Sequence, residues 1–208
     1  MEQTLGVAHG LFAERGYADV TMEEIAAAVG VTKPLLYNYF GNKERLYIAC
    51  MEQAGNSLTR TVGEAIAGTA SPGDALGAGV RAFFAFLDSD RAAWAVLFDE
   101  TLPVSGEVAD RVAAYRGQIV DLVSATLLPQ LPDRRRVKVE IEALSTALLG
   151  AAEELARWWL RTEAISAGEA AELLVSTVEP GIRARSSQAA DSVTPTSTPK
   201  PGKGTQRK

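Results

Sequence analysis

The side chains best suited to bind a polar or anionic partner lie close together in the sequence, in residues 32–43. On a helix over residues 33–40, Leu36 and Phe40 are four residues apart, so both can face a core. The opposite side then carries Lys33, Pro34, Tyr37 and Asn38. Because lysine and asparagine side chains hydrogen-bond to exposed acceptors and donors, a nucleic-acid duplex could be read from this side.

The residues before this helix predict how it is positioned. Thr21 and Glu24 are three residues apart and form a capping box, which starts a helix at Met22. Gly30 follows that helix and tolerates the positive φ that a sharp turn requires. We therefore expect two short helices joined by a tight turn.

The limits of the second helix are also predicted by residue type. Thr32 is a good N-cap, and Pro34 falls in the first turn, where a missing N–H costs little. Gly41 ends the helix and Asn42 can cap a third one. Lys43 then lies beside a helix N-terminus, whose free N–H groups favour a phosphate. This order is that of a helix-turn-helix, which presents one helix to the major groove of DNA.

In this segment the sequence resembles the TetR family of transcriptional regulators. The resemblance runs from about Leu5 to Tyr47 without a gap, whereas the rest of the chain agrees only in length, helix number and helix order. The matching residues are Leu11, Phe12, Gly16, Tyr17, Thr21, Glu24, Ile25, Ala26, Val29, Gly30, Val31, Thr32, Leu36, Tyr37, Tyr39, Phe40, Lys43, Glu44 and Leu46. So many fixed offsets are far more specific than a generic helix-turn-helix.

The resemblance implies DNA-binding roles for individual residues. Thr21, Tyr37 and Lys43 would hold phosphates, Tyr39 would lie near the DNA backbone, and Thr32 would bring a helix N-terminus to a phosphate. The base-reading set would be Lys33, Pro34, Leu35 and Asn38. Simpler roles stay open for three of these residues, because Thr21 can act only as a cap, Tyr37 only in packing and Asn38 only as a solvated side chain.

Charge and chain start depart from a typical DNA-binding head. Residues 1–47 hold four basic and six acidic groups, although Lys33, Lys43 and Arg45 cluster around the second helix with only Glu44 against them. The acids expected away from DNA or near helix N-termini are Glu2, Glu14, Asp19, Glu23 and Glu24. Family members usually carry a basic arm before the first helix. Here that helix begins at the first residue, so the true start is upstream, the arm is lost or the chain is trimmed.

Composition favours a globular cytoplasmic protein and argues against an enzyme. The chain has 208 residues, 47% of them hydrophobic, and no apolar run of roughly 18 residues that would predict a membrane span. No charged-then-apolar segment precedes the first helix, so we do not expect secretion. The single cysteine, Cys50, excludes an internal disulfide and is either a core or interface thiol or a redox sensor. The only histidine, His9, has no metal-ligand set around it, and no nucleophile elbow or phosphate loop occurs. We expect no cofactor and no metal.

The rest of the chain predicts an all-α fold. We expect about nine helices, with a helix-turn-helix domain over residues 1–47, a helical ligand-binding and dimerisation domain over 48–185, and a disordered basic tail over 186–208. Helices are predicted over about 43–69, from Ser71, from Asp90, and over about 106–128 before Pro129 and Pro132. The tail either touches DNA or is only solvated.

Two late helices predict a homodimer. The first carries an apolar seam of Val137, Ile141, Leu144, Leu148, Ala151, Leu155, Trp158 and Thr162. Ser166 and Glu169 form a capping box for the last helix, which Pro180-Gly181 should kink or shorten. The resemblance implies that these helices pair across a two-fold axis. The alternative is that the seam packs inside one subunit.

The resemblance also implies a small-molecule effector bound among the central helices. Candidate lining residues are Phe83, Phe86, Trp94, Phe98, Tyr115 and Trp159, with Glu100, Glu153, Glu154 and Arg157 as polar contacts. Plain core packing is the alternative for the aromatic residues, and an ion-pair ladder of Glu153, Arg157 and Arg161 is the alternative for the charged ones. A largely apolar ligand fits this set, such as a lipid-like acid, an acyl thioester or an aromatic drug. The implied function is a repressor released from operator DNA by this ligand. The alternative is a dimeric ligand-binding adaptor that does not bind an operator.

Overall fold

The computed structural model describes residues 2–128 and 137–191, and within them the chain is all-α. These residues form nine helices and no strand, which confirms the predicted fold class. The helices are α1 (Glu2–Asp19), α2 (Met22–Val29), α3 (Lys33–Phe40), α4 (Lys43–Ala67), α5 (Pro72–Ser89), α6 (Arg91–Leu97), α7 (Glu107–Leu127), α8 (Val137–Thr162) and α9 (Ala167–Asp191). None of these described helices is long and apolar enough to cross a membrane. We call α1 to α3 the head and α4 to α9 the body.

The turn between α2 and α3 forms as its residue types predict. The Thr21 hydroxyl accepts the Glu24 N–H at 3.3 Å, and the Glu24 carboxylate accepts the Thr21 N–H at 2.8 Å, which completes the capping box. Gly30 follows at φ 78°, in the left-handed region that glycine adopts without steric cost. Leu36 is buried and Phe40 packs against the core, so α3 turns the predicted side outward.

The N-cap residues of α3 and α4 behave differently. Thr32 occupies the N-cap position of α3, but its side chain accepts no capping hydrogen bond. An N-cap oxygen binds the N–H of the second or third helical residue, and Pro34, the second residue, has none to give. Asn42 behaves as predicted, since its Oδ1 accepts the Arg45 N–H at 2.8 Å.

The head is joined to the body at a break in α1. Gly16 lies inside α1 with φ 76° and ψ 166°, which interrupts the helix. The N–H groups exposed by the break donate to side chains of the loop after α6, Tyr17 N to Asp99 Oδ2 at 2.6 Å and Ala18 N to Thr101 Oγ1 at 3.3 Å. We call this contact the joint. The sequence offered no signal for these partners.

The body is a bundle around α4 that continues the core of the head. The buried Tyr47 hydroxyl donates to the Val96 carbonyl at 2.6 Å and so ties α4 to α6. Helix α4 also packs against α5 and α7, while α5 packs on α9 and α7 on α8. At 25 residues, α4 is about 37 Å long, so one rigid element runs from the head through the body.

The last helix extends further than predicted. The capping box forms, with the Glu169 N–H donating to Ser166 Oγ at 3.2 Å and the Ser166 N–H to Glu169 Oε2 at 2.8 Å. Helix α9 then continues through Pro180 to Asp191, so it is not shortened at Pro180 and covers the first six residues of the segment predicted as a tail. Residues 192–208, together with Pro129 and Pro132, lie outside the described part of the chain.

Candidate nucleic-acid interface and ligand cavity

The outward side of α3 carries the residues predicted to contact DNA. All eight of them outside α4 are exposed: Thr21, Thr32, Lys33, Pro34, Leu35, Tyr37, Asn38 and Tyr39. Leu35, Tyr37 and Tyr39 are 41%, 40% and 61% exposed, which is unusual for three large apolar groups on one two-turn helix. A surface of apolar and hydrogen-bonding groups on a short protruding helix fits a DNA groove.

The charge around α3 differs from the sequence-based prediction. Only Glu44 was expected to oppose the basic groups around the second helix. Glu23 lies near a helix N-terminus, in the first turn of α2, which is one of its two expected positions, but its carboxylate pairs with the Lys33 ammonium. The Lys33 Nζ also lies 5.7 Å from the centre of the Tyr37 ring. Both charged groups are about half exposed, so this is a solvated ion pair that a DNA phosphate or base could displace at small cost.

Lys43 is held more tightly than expected. Its Nζ donates to the carbonyls of Ala18 at 3.2 Å and Val20 at 2.8 Å, and it lies 4.4 Å from the centre of the Tyr17 ring. Partial burial lowers the pKa of Lys43, and the nearby Asp19 opposes that shift. An ammonium has three N–H donors, so two are used inside the head and one is left for a phosphate.

Arg15 of the head and Arg45 in the first turn of α4 are also paired with carboxylates. Arg15 donates to Glu24 at 2.8 Å, which together with the Thr21 hydrogen bonds lowers the pKa of Glu24 to about 2. The Arg45 Nε lies 3.9 Å from the Glu107 carboxylate at the start of α7. All four basic groups of the head and of the first turn of α4 therefore have protein partners. DNA must compete for Arg15, Lys33 and Arg45, whereas Lys43 keeps one N–H donor for it.

A largely apolar cavity lies in the body between α4, α5, α7 and α8. It has about 800 Å³ of empty volume, including solvent at its mouth. Its lining consists of Leu58, Val62, Ile66, Leu76, Gly79, Val80, Phe83, Phe98, Tyr115, Arg116, Ile119, Leu122, Val123, Thr126, Leu148, Leu149, Ala152 and Glu153. Such a lining, with few polar groups, is typical of a site for an apolar small molecule.

Three of the six aromatic residues predicted to line a ligand site lie in the cavity wall. Phe83, Phe98 and Tyr115 line the cavity. Phe98, Tyr115 and Glu100 also line a neighbouring pocket, where Glu100 pairs with Arg157. This second pocket has about 600 Å³ of empty volume, again including solvent.

Four other predicted residues do not line this cavity. Phe86 is buried in the core away from the cavity. Trp94 stacks behind Phe98, with ring centres 4.1 Å apart, and Trp159 is buried against Phe84 with its Nε1 donating to Ile165 O at 2.9 Å. Glu154 faces solvent, with its side chain 75% exposed. Phe86, Trp159 and Glu154 lie on helices that line the cavity but face away from it, whereas Trp94 lies on α6, which contributes no lining residue.

The charged groups of the cavity are Glu153 and Arg116. Glu153 was considered a polar contact, but Arg116 was not predicted at all. The Arg116 guanidinium donates to Glu153 Oε2, and burial raises the pKa of Glu153 against the opposing effect of Arg116 and Arg157. The ladder from Glu153 to Arg157 and Arg161 does not form, since Glu153 pairs with Arg116 and Arg157 pairs with Glu100 and Glu154.

One loop connects the cavity to the head. Phe98 lines the cavity, and Asp99, the next residue, accepts the Tyr17 N–H of the joint. Asp99 Oδ1 also accepts the Thr101 N–H at 2.7 Å, which holds the loop in a fixed shape. Because Phe98 and Asp99 are adjacent in the chain, a displacement of the Phe98 ring would act directly on the hydrogen bond that Asp99 accepts from the Tyr17 N–H.

The predicted seam on α8 is divided between two environments. Ile141 and Leu148 are buried inside the protomer, and Leu148 lines the cavity. In the later part of the seam Leu155 packs against the core, whereas Ala151, Trp158 and Thr162 are exposed, Trp158 at 36%. On α9, Leu173 is 53% exposed. The inward part of the seam thus serves the protomer itself, and an unburied apolar surface remains on both late helices.

Comparison with known proteins agrees with this architecture. Residues 5–50 match the family described as "Bacterial regulatory proteins, tetR family", and residues 72–179 match "Tetracyclin repressor-like, C-terminal domain". The HTH-type transcriptional activator FasR of Mycolicibacterium smegmatis is 30% identical over 165 residues, which cover 77% of this chain and 72% of FasR.

Two solved structures show the same fold. A TetR-like transcriptional regulator from Rhodococcus sp. RHA1 superposes with a TM-score of 0.71 at 28% identity, over 87% of this chain and 94% of that one. The regulator FadR from Bacillus subtilis, solved in complex with stearoyl-CoA, superposes with a TM-score of 0.70 at 19% identity, over 84% and 97%. With both segments matched in order, the chain belongs to the TetR family of bacterial transcriptional regulators.

Proposed function

We propose that this regulator binds operator DNA as a homodimer and represses transcription until a small, largely apolar ligand enters the body cavity. The observation that carries this proposal is the loop from Phe98 to Thr101, which forms cavity wall at one end and the joint at the other. A ligand that moves Phe98 favours head positions that no longer match successive major grooves. Because the target is chromosomal DNA, we place the protein in the cytoplasm.

The DNA contacts follow from the exposed side of α3. Tyr37 and Thr21 offer hydroxyls to phosphates, and Lys43 offers its remaining N–H donor. Lys33 and Asn38 face the bases, where lysine suits guanine acceptors and asparagine suits adenine. Since Lys33 must first leave Glu23, each head binds weakly and specific binding needs two heads.

The dimer interface is proposed on the exposed side of α8 and α9. Trp158 and Leu173 are large apolar groups left in solvent by the protomer. Exposed small residues at helical spacing, Ala147, Gly150 and Ala151, let a second helix approach α8 closely. A partner here would place two heads about one DNA turn (roughly 34 Å) apart or more, as a helix-turn-helix dimer requires.

The ligand class follows from the cavity lining. The walls are almost wholly aliphatic and aromatic, so an acyl chain or a similar apolar body fits better than a charged metabolite. Support comes from FadR of Bacillus subtilis, whose structure contains stearoyl-CoA in the same fold. We therefore propose an acyl thioester or a lipid-like molecule as the effector.

Activation is the second candidate for the regulatory outcome. FasR, the relative that is 30% identical, is named a transcriptional activator. A promoter fused to a reporter separates the two directions. Deleting the regulator raises expression if it represses and lowers expression if it activates.

A gel-shift assay tests the proposal on the DNA upstream of the regulator's own gene. The folded dimer should shift this fragment at low salt, and a Tyr37→Ala variant should not. Stearoyl-CoA is the first ligand to add, and the shifted band should disappear in its presence. A folded dimer that shifts no fragment at low salt would refute operator binding and leave the adaptor interpretation.

A further inference from the structure

The cavity contains one polar atom that the protein itself does not satisfy. Glu153 is only 6% exposed, and its Oε1 is buried without a hydrogen-bond partner. Among the described residues only one other buried side-chain nitrogen or oxygen lacks a partner, the His9 Nε2, and His9 is not part of the cavity lining. Leaving such an oxygen unpaired destabilises the protein, so an unpaired acceptor in a ligand cavity points to a ligand group that pairs with it.

The other polar groups of the wall have protein partners. Arg116 donates to Glu153 Oε2, which leaves Oε1 as the unpaired oxygen of the carboxylate. The Tyr115 hydroxyl donates to the Gly55 carbonyl at 3.2 Å, and the Thr126 hydroxyl to the Leu122 carbonyl at 2.9 Å. Glu153 Oε1 is thus the acceptor in this lining that has no bond inside the protein.

We propose that Glu153 is the specificity-determining residue of the cavity, and that its Oε1 accepts a hydrogen bond from a hydroxyl or amide N–H on the apolar ligand. This inference rests on the proposed function, in that the cavity must hold an effector. The ligand is then an apolar body with a neutral donor. A carboxylate at this point is disfavoured, because it meets the Glu153 carboxylate and brings no proton to share.

The same geometry explains why the ligand group that meets Oε1 must be a hydrogen-bond donor rather than an acceptor. The positive charge nearest to the cavity is Arg116, and it is already paired with Glu153. A carbonyl or ether oxygen on the ligand would face the unpaired Oε1 with a second lone pair. An alcohol, in contrast, replaces its hydrogen bond to water with one to a carboxylate, which is stronger than a bond between neutral groups.

The test compares two probes that differ only in the donor, decanol and its methyl ether. Binding is followed through tryptophan fluorescence, because Trp94 stacks on the cavity residue Phe98. Wild-type protein should bind the alcohol about tenfold more tightly than the ether. This factor corresponds to the lower end of the free energies found for hydrogen bonds to charged groups. Glu153→Leu should abolish this preference, whereas Glu153→Gln, which keeps an acceptor oxygen, should retain part of it.

Glu154→Leu is the matched control, because it removes the same group one residue away on the solvent side of α8. It should keep the full preference for the alcohol. If wild-type protein binds both probes equally, or if Glu153→Leu keeps the preference, the role of Glu153 is refuted while the cavity remains a ligand site. If neither probe binds to wild-type protein, the cavity does not take apolar chains, and the proposed effector class fails together with this inference.

Discussion

The break in α1 at Gly16 allows a sharp test of the joint between head and body. At φ 76° and ψ 166°, this residue lies in a backbone region that is essentially restricted to glycine, and another residue there costs about 1–3 kcal/mol. A Cβ at this position would lie 3.0 Å from Thr101 Oγ1 and 3.4 Å from Thr101 Cγ2. Thr101 must then move, which weakens the hydrogen bond from the Ala18 N–H, worth about 1 kcal/mol.

We therefore expect Gly16→Ala to lower the free energy of unfolding by about 2–4 kcal/mol, the sum of these two effects. Gly6→Ala in the same helix is the control. A Cβ there meets no heavy atom within 4 Å beyond its own helix, so the substitution should raise stability by about 0.5–1 kcal/mol. Urea denaturation followed by circular dichroism measures both values. Equal effects of the two variants on stability would refute the claim that the joint requires a residue with positive φ at position 16.

Three further predictions concern the dimer, the DNA contact and the thiol. Trp158→Glu places a charge on the proposed interface and should give a monomer in analytical ultracentrifugation. Val104→Glu, at a fully exposed loop position, is the control and should remain dimeric. If both variants are dimeric, the proposed interface is contradicted. Glu23→Gln should strengthen DNA binding up to about fivefold per head, because Lys33 no longer gives up an exposed ion pair worth up to about 1 kcal/mol. Lys33→Ala should instead lower the slope of log affinity against log salt by about 1 per head, and unchanged binding in both variants would exclude Lys33 from the interface. Burial raises the pKa of Cys50 to about 12, so its thiol should react with a thiol reagent only after unfolding. A fast reaction of Cys50 in the native protein would instead favour the redox interpretation. The Cys50 thiol ionises at lower pH in the unfolded chain than in the folded protein, so the free energy of unfolding should fall as pH rises above about 8.5.

The head could be predicted almost completely because its signals are local. A capping box, a left-handed glycine and an N-terminal proline each act within four residues, so Thr21, Gly30 and Asn42 behave as expected. The pairing of charges was not predicted. Glu23 and Lys33 are ten residues apart on two helices, and their contact depends on the angle at which those helices cross.

The cavity could be predicted only in outline. Periodicity identifies the apolar side of a helix but does not show which part of that side meets another helix and which part meets a void. Phe83 and Phe86 show this limit, since both lie on α5 but only Phe83 reaches the cavity. Neighbouring residues on a helix point about 100° apart, so of the two adjacent residues Glu153 and Glu154, both considered as polar contacts, only Glu153 faces the cavity.

The length of α9 shows that packing overrides a local signal. Proline inside a helix removes one hydrogen bond and clashes with the preceding turn, which led us to expect a kink or an early end. Val178 and Ile182, on either side of Pro180, both pack against the core and hold the helix together across the proline. The two apolar residues are four apart in the sequence, but the core against which they pack comes from distant segments of the chain, which the local pattern does not show.

The central claim is that ligand in the cavity and DNA on the head are coupled, and one measurement tests it most directly. The affinity for a labelled operator fragment is measured by fluorescence anisotropy with and without stearoyl-CoA, in wild-type protein and in Ala152→Phe, which fills the cavity from its wall. Wild-type protein should lose DNA affinity on adding the ligand, while the filled variant should bind DNA with or without it. An equal ligand effect on both proteins, or none on wild-type protein with the ligand bound, would contradict the account.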